Sequence, residues 1–383
     1  MENVETAVRA RYGAASQMKE EALCCPVEYD PQYLKILPNE IIERDYGCGD
    51  PSAFVKTGET VLDLGSGGGK ICYIASQIVG ESGKVIGVDT NTEMLALAEK
   101  YRGEMAEKIG YGNTEFHYGK IQDLKLNLNL VDEYLQTNPI KTADDFFGYE
   151  SFVAKLKAEN PLIADDSIDV ILSNCVLNLV KPEDKKRMFA EMFRVLKRGG
   201  RVAISDIVAD EDVPEHLQKN AELWSGCISG AFREDLFVEA FERAGFYGVE
   251  IVKRDEKPWR VVEGIEFRAV TITAYKGKQG ACFERNQAVI YKGPWKKVLD
   301  DDGHALERGQ RVAVCDKTFQ IYSKEPYASQ MILVEPIKNI ALETAKEFDC
   351  RRTAKRHPRE SKGLEYNLTD LSGEMCGEGE NCC

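Results

Sequence analysis

Residues 61–69, VLDLGSGGG, join a short apolar run to a glycine-rich turn. A helical pattern follows in KICYIASQIVG, and a second apolar run, KVIGVD, ends at Asp89, 20 residues after Gly69. Because glycine has no Cβ, a turn of this kind between a strand and a helix lets the backbone approach a ligand closely. An acidic residue at the end of the next strand can bind the hydroxyls of a ribose. The pattern therefore predicts a nucleotide-like ligand at this turn.

Short apolar runs and helical patterns alternate from about Thr60 onwards, which is typical of a parallel α/β sheet. TEFHYGKI, SIDVILSNCV and RVAISDIV predict further strands of that sheet, and QAVIYKG, RVAVCDKTFQIY and SQMILVEPI predict strands of a second, smaller domain. The insert at 124–165 has its own helical pattern, which predicts a cap or lid. The predicted divisions are a helical leader with the Cys48 loop at 1–56, a ligand-binding domain at 57–250, a β-rich domain at 251–370 and a flexible cysteine-rich tail at 371–383.

Composition and charge exclude several classes of protein. The 383 residues carry a net charge of −14, which argues against binding to nucleic acid or to an anionic membrane. The chain has no run of 18 apolar residues, and MENVETAVRARYG lacks the apolar core of a signal peptide. Twelve cysteines without C-x-x-C spacing predict reduced thiols in the cytoplasm rather than a structural zinc site. Without a coiled-coil pattern, we predict a monomer.

Asp63 lies inside the first predicted strand, where an unpaired carboxylate would be costly to bury. DLGSGGG therefore differs from the dinucleotide fingerprint and resembles the acidic glycine motif of class I S-adenosylmethionine-dependent methyltransferases. The resemblance implies that the glycine turn wraps the methionine end of S-adenosyl-L-methionine, that Asp89 holds the ribose, and that the residues after the third strand lie near the adenine. The predicted cofactor-binding residues are Asp63, Gly65, Ser66, Gly67, Asp89, Ile121, Gln122 and Asn174.

Cys175, in ILSNCVLNLV, follows a predicted strand at the edge of the sheet where ligands bind. A free cysteine is often only a small buried hydrophobe. Asn174 and Asn178 make this stretch polar, however, and Cys48 in YGCG and Cys227 in WSGC also lie beside glycines. Three such thiols could bind one thiophilic atom and present its lone pair to a methyl group.

The other cysteines give weaker signals. Cys24 and Cys25 are adjacent, so a disulfide from one of them to Cys48 is more plausible than a bond between the two. Cys72 could be acidified by the N-terminus of the helix after the glycine turn, but packing under the sheet is the favoured interpretation. Cys282, Cys315 and Cys350 carry no local signal and are interpreted as structural thiols. Cys376, Cys382 and Cys383 could bind soft metals in the tail.

Several motifs together resemble the arsenite S-adenosylmethionine methyltransferases, from about residue 20 to 250: YGCG, DLGSGGGKICY, SNCVLNLV, EMFRVLKRGG and LWSGCISGA. This resemblance implies that Cys175 and Cys227 hold trivalent arsenic. It implies that Cys48 joins them or forms a disulfide with an earlier cysteine, here Cys24 or Cys25. The implied substrate is arsenite or its glutathione conjugate, and the implied partner is a thiol reductant such as thioredoxin or glutathione.

Two alternatives remain at this stage. The first is a methyltransferase that acts on carbon, oxygen or nitrogen of a small metabolite and has buried, inert cysteines. The second is a non-catalytic sensor or buffer of soft metals that uses the cysteines of the tail.

Overall fold

The computed structural model describes residues 4–17, 20, 27–350 and 355–363, and the chain divides into two compact units between Gly277 and Lys278. The helices are α1 Val4–Gln17, α2 Pro31–Leu34, α3 Asn39–Glu43, α4 Lys70–Val79, α5 Thr92–Ile109, α6 Leu128–Thr137, α7 Ala143–Glu159, α8 Pro182–Val195, α9 Glu215–Gln218, α10 Ala221–Ser225, α11 Glu234–Arg243, α12 Asp316–Tyr322 and α13 Pro358–Lys362. The strands of the first unit are β1 Thr60–Leu64, β2 Lys84–Asp89, β3 Thr114–Tyr118, β4 Ile168–Asn174, β5 Leu196–Ala209, β6 Phe232–Arg233, β7 Tyr247–Arg254, β8 Arg260–Val262 and β9 Ile265–Tyr275. The strands of the second unit are β10 Phe283–Glu284, β11 Ala288–Tyr291, β12 Lys297–Leu299, β13 Ala305–Glu307, β14 Arg311–Ala313, β15 Met331–Val334 and β16 Lys346–Glu347.

One nine-stranded sheet organises the first unit, with its main strands in the order β3-β2-β1-β4-β5-β9-β7. The strands from β3 to β5 in that order are parallel, and β9 runs antiparallel to both β5 and β7. The order reverses at β1, so the next strand of the sheet on one side of it is β2 and on the other β4. Ligands of open α/β sheets bind beside such a reversal, at the carboxyl ends of the strands. The predicted parallel α/β sheet is confirmed, and its strand order is Rossmann-like.

Alternation along the strands divides the core between the two faces of the sheet. Leu62 and Leu64 belong to one buried cluster, whereas Val61 belongs to another that includes residues of α4 and α5. Successive side chains of a strand point to opposite faces, so helices must cover both sides. The buried side chains of β1 run up to Leu64, so the glycine turn that follows lies at the carboxyl end of the strands.

The predicted domain boundary at residue 250 falls inside β7, and the units instead divide after Gly277. The reason is β9, which pairs with β5 over nine residues, from Arg201↔Tyr275 to Ala209↔Phe267. This pairing covers the backbone edge that β5 would otherwise expose. The β-rich stretch from residue 251 to Gly277 is therefore an extension of the first sheet and not the start of a new domain.

The insert at 124–165 contains α6 and α7, as its helical pattern predicts. Among the described residues, none from this insert lines the pocket around the glycine turn, and its role as a cap or lid stays a prediction. No helix of the described residues is long and apolar enough to cross a membrane. Residues 364–383, which include the whole predicted tail, lie outside the described residues.

The second unit contains a three-stranded antiparallel sheet in the order β14-β11-β15 and two two-stranded sheets. Its core is formed by side chains such as Val289, Tyr291 and Phe319. RVAVCDKTFQIY was predicted as one strand, but only Arg311–Ala313 is a strand and Asp316–Tyr322 is a helix. Cys315 precedes the helix and its sulfur accepts a hydrogen bond from the Thr318 backbone N–H at 3.4 Å, so the extended run ends there.

Candidate active site

The glycine turn after β1 is shaped by two close approaches. Gly65 has φ 75°, and a Cβ there would lie 2.5 Å from Val176, so only glycine fits. The Gly67 N–H donates to the Asp89 carboxylate at 2.8 Å, and the Asn91 N–H donates to its other oxygen at 2.8 Å. The end of β2 therefore holds the turn in place.

A pocket opens over this turn, and all eight residues predicted to bind the cofactor line it. A Cβ on Gly67 would meet nothing within 4 Å, so the backbone at this glycine faces open space. The Ser66 hydroxyl is buried and has no hydrogen-bond partner among the described residues. A buried polar group without a partner is costly, so the turn is built to receive a polar ligand.

Asp63 lies at the floor of this pocket and is only 2% exposed. Burial raises the pKa of its carboxyl to about 7, although the Cys72 thiol donates to it at 3.3 Å. Cys72 itself is buried and its pKa is raised, chiefly by burial, so this thiol is not activated. Its predicted place under the sheet agrees with the structure.

The leader supplies pocket residues that the sequence did not reveal. Lys70 forms an ion pair with Asp45 at 3.0 Å, and its ammonium lies 3.9 Å from the centre of the Tyr29 ring. Asp45 and Lys70 both line the pocket, as does Tyr12 from α1. These residues come from separate segments, so no spacing in the sequence could have joined them.

Asn174, which was predicted to bind the cofactor, lines the pocket, and its amide also holds the Cys48 loop. Its oxygen accepts hydrogen bonds from the N–H groups of Cys48 at 2.8 Å and Gly49 at 3.1 Å. Its nitrogen donates to the Gly49 carbonyl at 2.6 Å and to the Tyr29 hydroxyl at 3.2 Å. A Cβ on Gly47 would overlap this amide, and one on Gly49 would lie 2.7 Å from the Ser205 Cβ. The glycines of YGCG are therefore needed for the loop to reach the sheet.

The three predicted thiols meet beside the pocket. Cys48 and Cys175 form a disulfide, with Cα atoms 5.9 Å apart, and the Cys227 thiol donates to the Cys175 carbonyl at 3.1 Å. All three are at most 6% exposed. Cys175 and Cys227 have φ of 58° and 61°, in the left-handed region that non-glycine residues rarely adopt. Backbone strain of this kind concentrates at functional sites.

Cys48 was predicted to pair with Cys24 or Cys25. In the structure it is bonded to Cys175, and Cys24 and Cys25 lie outside the described residues. The sequence missed this pairing because the two cysteines are 127 residues apart and come together only through the Asn174 contacts.

The chain resembles known proteins over most of its length. A family model described as a methyltransferase domain matches residues 55–146 and 149–245, and one described as a domain of unknown function matches 278–366. An arsenite methyltransferase of Aquipseudomonas alcaligenes is 32% identical, over 82% of this chain and 85% of the relative. The arsenite methyltransferase of Mus musculus is 28% identical, over 92% and 89%.

A crystal structure of an arsenic(III) S-adenosylmethionine methyltransferase from Chlamydomonas reinhardtii is also similar, with a TM-score of 0.55 and 25% identity. The similarity covers 85% of this chain and 100% of that one. The chain belongs to the arsenite methyltransferase family. It is a methyltransferase that uses S-adenosyl-L-methionine, and the resemblance seen in its motifs is confirmed.

The pocket fits the cofactor of this family of arsenite methyltransferases. Asp89 offers carboxylate oxygens of the kind that bind ribose hydroxyls, and Ile121 offers a buried apolar surface. The unpartnered Ser66 hydroxyl and the open face at Gly67 leave room for polar groups of the ligand. Asp63 provides a carboxyl for a positively charged ligand, and it becomes ionised close to neutral pH.

The protein has a further buried carboxyl, Asp206 on β5, in contact with the turn that follows Cys175. It accepts hydrogen bonds from the Leu177 N–H and the Asn178 side chain, both at 2.8 Å. Burial raises its pKa to about 6, against the effect of these hydrogen bonds. Asn178 also donates to the Cys227 carbonyl at 3.3 Å. Asp206 and Asn178 therefore fix the turn that carries Cys175 relative to the segment that carries Cys227.

Proposed function

We propose that this chain methylates trivalent arsenic that is bound by the thiolates of Cys48, Cys175 and Cys227. The observation that supports this most strongly is the meeting of three cysteines from three segments in one buried cluster, with Cys175 itself lining the cofactor pocket. Soft thiolates select soft, thiophilic ions over oxygen-seeking ones. The similarity to arsenite methyltransferases supports the same substrate.

Arsenic binding requires the reduced form of the cluster. A dithiol reductant opens the Cys48–Cys175 bond by exchange and itself becomes a disulfide. Arsenite, or its glutathione conjugate, then exchanges its ligands for the three cysteine sulfurs. Each As–S bond that forms replaces one As–O or As–S bond, and each cysteine proton leaves with the departing hydroxide or glutathione. Arsenic remains trivalent and keeps its lone pair.

S-adenosyl-L-methionine, when bound, supplies an electrophilic methyl group and leaves as an uncharged thioether. The glycine turn, Asp63 and Asp89 bind and orient it in the pocket. Cys48, Cys175 and Cys227 hold the nucleophile beside the pocket, and their burial excludes water from it. No general base is needed, because the lone pair of arsenic carries no proton. The contribution of the protein is positioning, for which effective molarities of roughly 10⁵ M or more are known.

The disulfide seen in the structure supports a way to complete the cycle. Addition of a methyl cation formally raises arsenic from the trivalent to the pentavalent state. Two of the bound sulfurs, those of Cys48 and Cys175, can then leave arsenic and bond to each other, which returns two electrons to it. A hydroxide or a glutathione thiolate then completes the trivalent arsenic, which keeps its methyl group and the Cys227 sulfur. A thiol reductant such as thioredoxin or glutathione would regenerate the thiols. We also propose that Cys24 or Cys25 takes part in a second thiol–disulfide exchange, with Cys48.

Two further features belong to this proposal. A cluster of reduced thiols suits a reducing compartment, so we place the enzyme in the cytoplasm. We also propose that it acts as a monomer, since the site is assembled from residues of a single chain.

The test is transfer of labelled methyl groups from S-adenosyl-L-methionine to arsenite with a thiol reductant present. The wild type should give labelled methylated arsenic, and Cys175→Ser should give almost none while it still binds the cofactor in calorimetry. A variant with Cys376→Ser, Cys382→Ser and Cys383→Ser serves as the thiol control and should keep its activity. Full activity of Cys175→Ser, or no arsenic-bound label from cofactor-binding wild type, would contradict the proposal.

A further inference from the structure

A second group of three cysteines lies in the second unit. The sulfurs of Cys282, Cys315 and Cys350 all lie within 4.8 Å of one another. Cys315 is buried, Cys282 is partly buried and Cys350 is exposed, so the group reaches from the interior to the surface. No local motif in the sequence indicates this group, because the three residues stand 33 and 35 positions apart. None of them contributes to the proposed catalysis.

The fold of the unit brings these three segments together. The Phe348 N–H donates to the Cys282 carbonyl at 2.9 Å, beside the pairing of Phe283 with Glu347, and this joins the segments of Cys282 and Cys350. Lys317 donates to the Gly280 carbonyl at 2.9 Å, which brings the start of α12 to the same place. The thiol group is thus held by contacts that do not themselves involve the sulfurs.

The distances are those that a single bound ion requires. Metal–sulfur bonds are about 2.3 Å long, so two sulfurs on one ion can lie no more than about 4.6 Å apart. The three sulfurs, all within 4.8 Å of one another, therefore need at most a small contraction to share one ion. Among the described residues, the group includes no imidazole or carboxylate as a fourth ligand. A set of thiols alone selects soft ions and disfavours calcium and magnesium.

We propose that Cys282, Cys315 and Cys350 form a second, non-catalytic site for a soft thiophilic ion in three-coordinate geometry, and that this ion is trivalent arsenic. The choice of arsenic rests on the proposed function, whereas the three-thiol site does not. Structural zinc sites use four protein ligands, and trivalent arsenic is satisfied by three with its lone pair as the fourth substituent. A three-sulfur site therefore fits arsenic better than zinc.

The electrostatics of the group are compatible with this role. Partial burial opposes ionisation of Cys282, but hydrogen bonds from Cys350, Cys315 and Lys317 outweigh it and lower its pKa. The pKa of Cys350 is raised to about 12, first by burial and then by its contact with Cys282. The Cys282 sulfur therefore interacts with both of the other sulfurs. Arsenite would bind with loss of three hydroxides, which take the three thiol protons and leave as water, with no change of oxidation state.

The test uses the full chain with Cys376→Ser, Cys382→Ser and Cys383→Ser, so that the tail cannot bind the probe. The protein is reduced with a phosphine, incubated with sodium arsenite and desalted, and its arsenic content is measured by elemental mass spectrometry. A Cys175→Ser version should lose the substrate-site arsenic and retain about one arsenic per chain on the second site. Adding Cys282→Ser and Cys350→Ser to that version should remove this remaining arsenic.

A second measurement does not depend on how those variants fold. In the Cys175→Ser version, arsenite should slow the alkylation of Cys282 and Cys350 at least tenfold, as followed by peptide mass spectrometry. Equal alkylation with and without arsenite would overturn the proposal, as would arsenic content that survives loss of Cys282 and Cys350. Protection by zinc but not by arsenite would overturn the assignment of the ion. The proposed function is tested separately, by the loss of substrate-site arsenic that Cys175→Ser alone should cause.

Discussion

The substitution Asn174→Asp tests how the Cys48 loop is held. It keeps the shape of the side chain and one acceptor for the N–H groups of Cys48 and Gly49, but it replaces the donor to the Gly49 carbonyl at 2.6 Å with an oxygen. Leaving a buried carbonyl without its donor costs about 1–3 kcal/mol. That range corresponds to a roughly 5- to 150-fold change in the population of the ordered loop. We therefore expect the rate of arsenite methylation to fall by roughly that factor at neutral pH.

The assay compares the initial rate of labelled methyl transfer with the affinity for S-adenosyl-L-methionine measured by calorimetry. The rate should fall and the affinity should change little, because the amide bonds to the loop and to Tyr29. The ratio of variant to wild-type rate should rise as the pH is lowered. A protonated carboxyl can again donate to the Gly49 carbonyl, and burial of this group favours that form.

Asn129→Asp is the matched control, since it makes the same change of charge at an exposed position on α6 and should leave the rate unchanged. If Asn174→Asp methylates arsenite at the wild-type rate, or if its cofactor affinity falls by as much as its rate, Asn174 does not act through the Cys48 loop.

Three further predictions concern the loop and the cofactor pocket. Gly49→Ala sets a Cβ 2.7 Å from that of Ser205 and should cost about 1–3 kcal/mol in thermal or urea unfolding, whereas Gly103→Ala, where a Cβ meets nothing, should not destabilise. Burial raises the pKa of Asp63 to about 7, so this carboxyl is neutral below that pH in the ligand-free protein. A cationic cofactor favours its ionised form, so affinity in calorimetry should fall as the pH drops through about 7, and Asp63→Asn should bind weakly without that pH dependence. Asp89→Asn disturbs the hydrogen bond from the Gly67 N–H and should weaken cofactor binding by roughly 10- to 150-fold, while the arsenic content of the reduced protein stays unchanged. An equal loss of cofactor affinity and of arsenic content would contradict the assignment of Asp89 to the cofactor.

The parts of the site that the sequence predicted are those written in contiguous stretches. Asp63, Ser66 and Gly67 belong to one strand and turn, and the position of Asp89 follows from the next strand, so local pattern was sufficient. Cys175 was predicted from its position after β4, where parallel strands face the ligand.

The parts that the sequence did not predict depend on contacts between distant segments. The pair of Asp45 and Lys70, the Cys48–Cys175 bond and the thiol group around Cys315 each need the folded chain. The domain boundary was wrong because β9 has a strand pattern that fits either a new sheet or the edge of the old one. Which of these two pairings forms depends on the unpaired edge of β5 in the folded chain, which the sequence pattern does not show.

The most direct measurement is a single turnover on bound arsenic. The reduced protein, freed of reductant and carrying one equivalent of arsenite, is mixed with labelled S-adenosyl-L-methionine and quenched, and its arsenic species and disulfides are mapped. The account predicts labelled methyl on arsenic, a new Cys48–Cys175 disulfide in the same proportion, and loss of both in Cys227→Ser. Methylation that is undiminished in Cys175→Ser and Cys227→Ser would contradict it, because arsenic would then be methylated without these thiols.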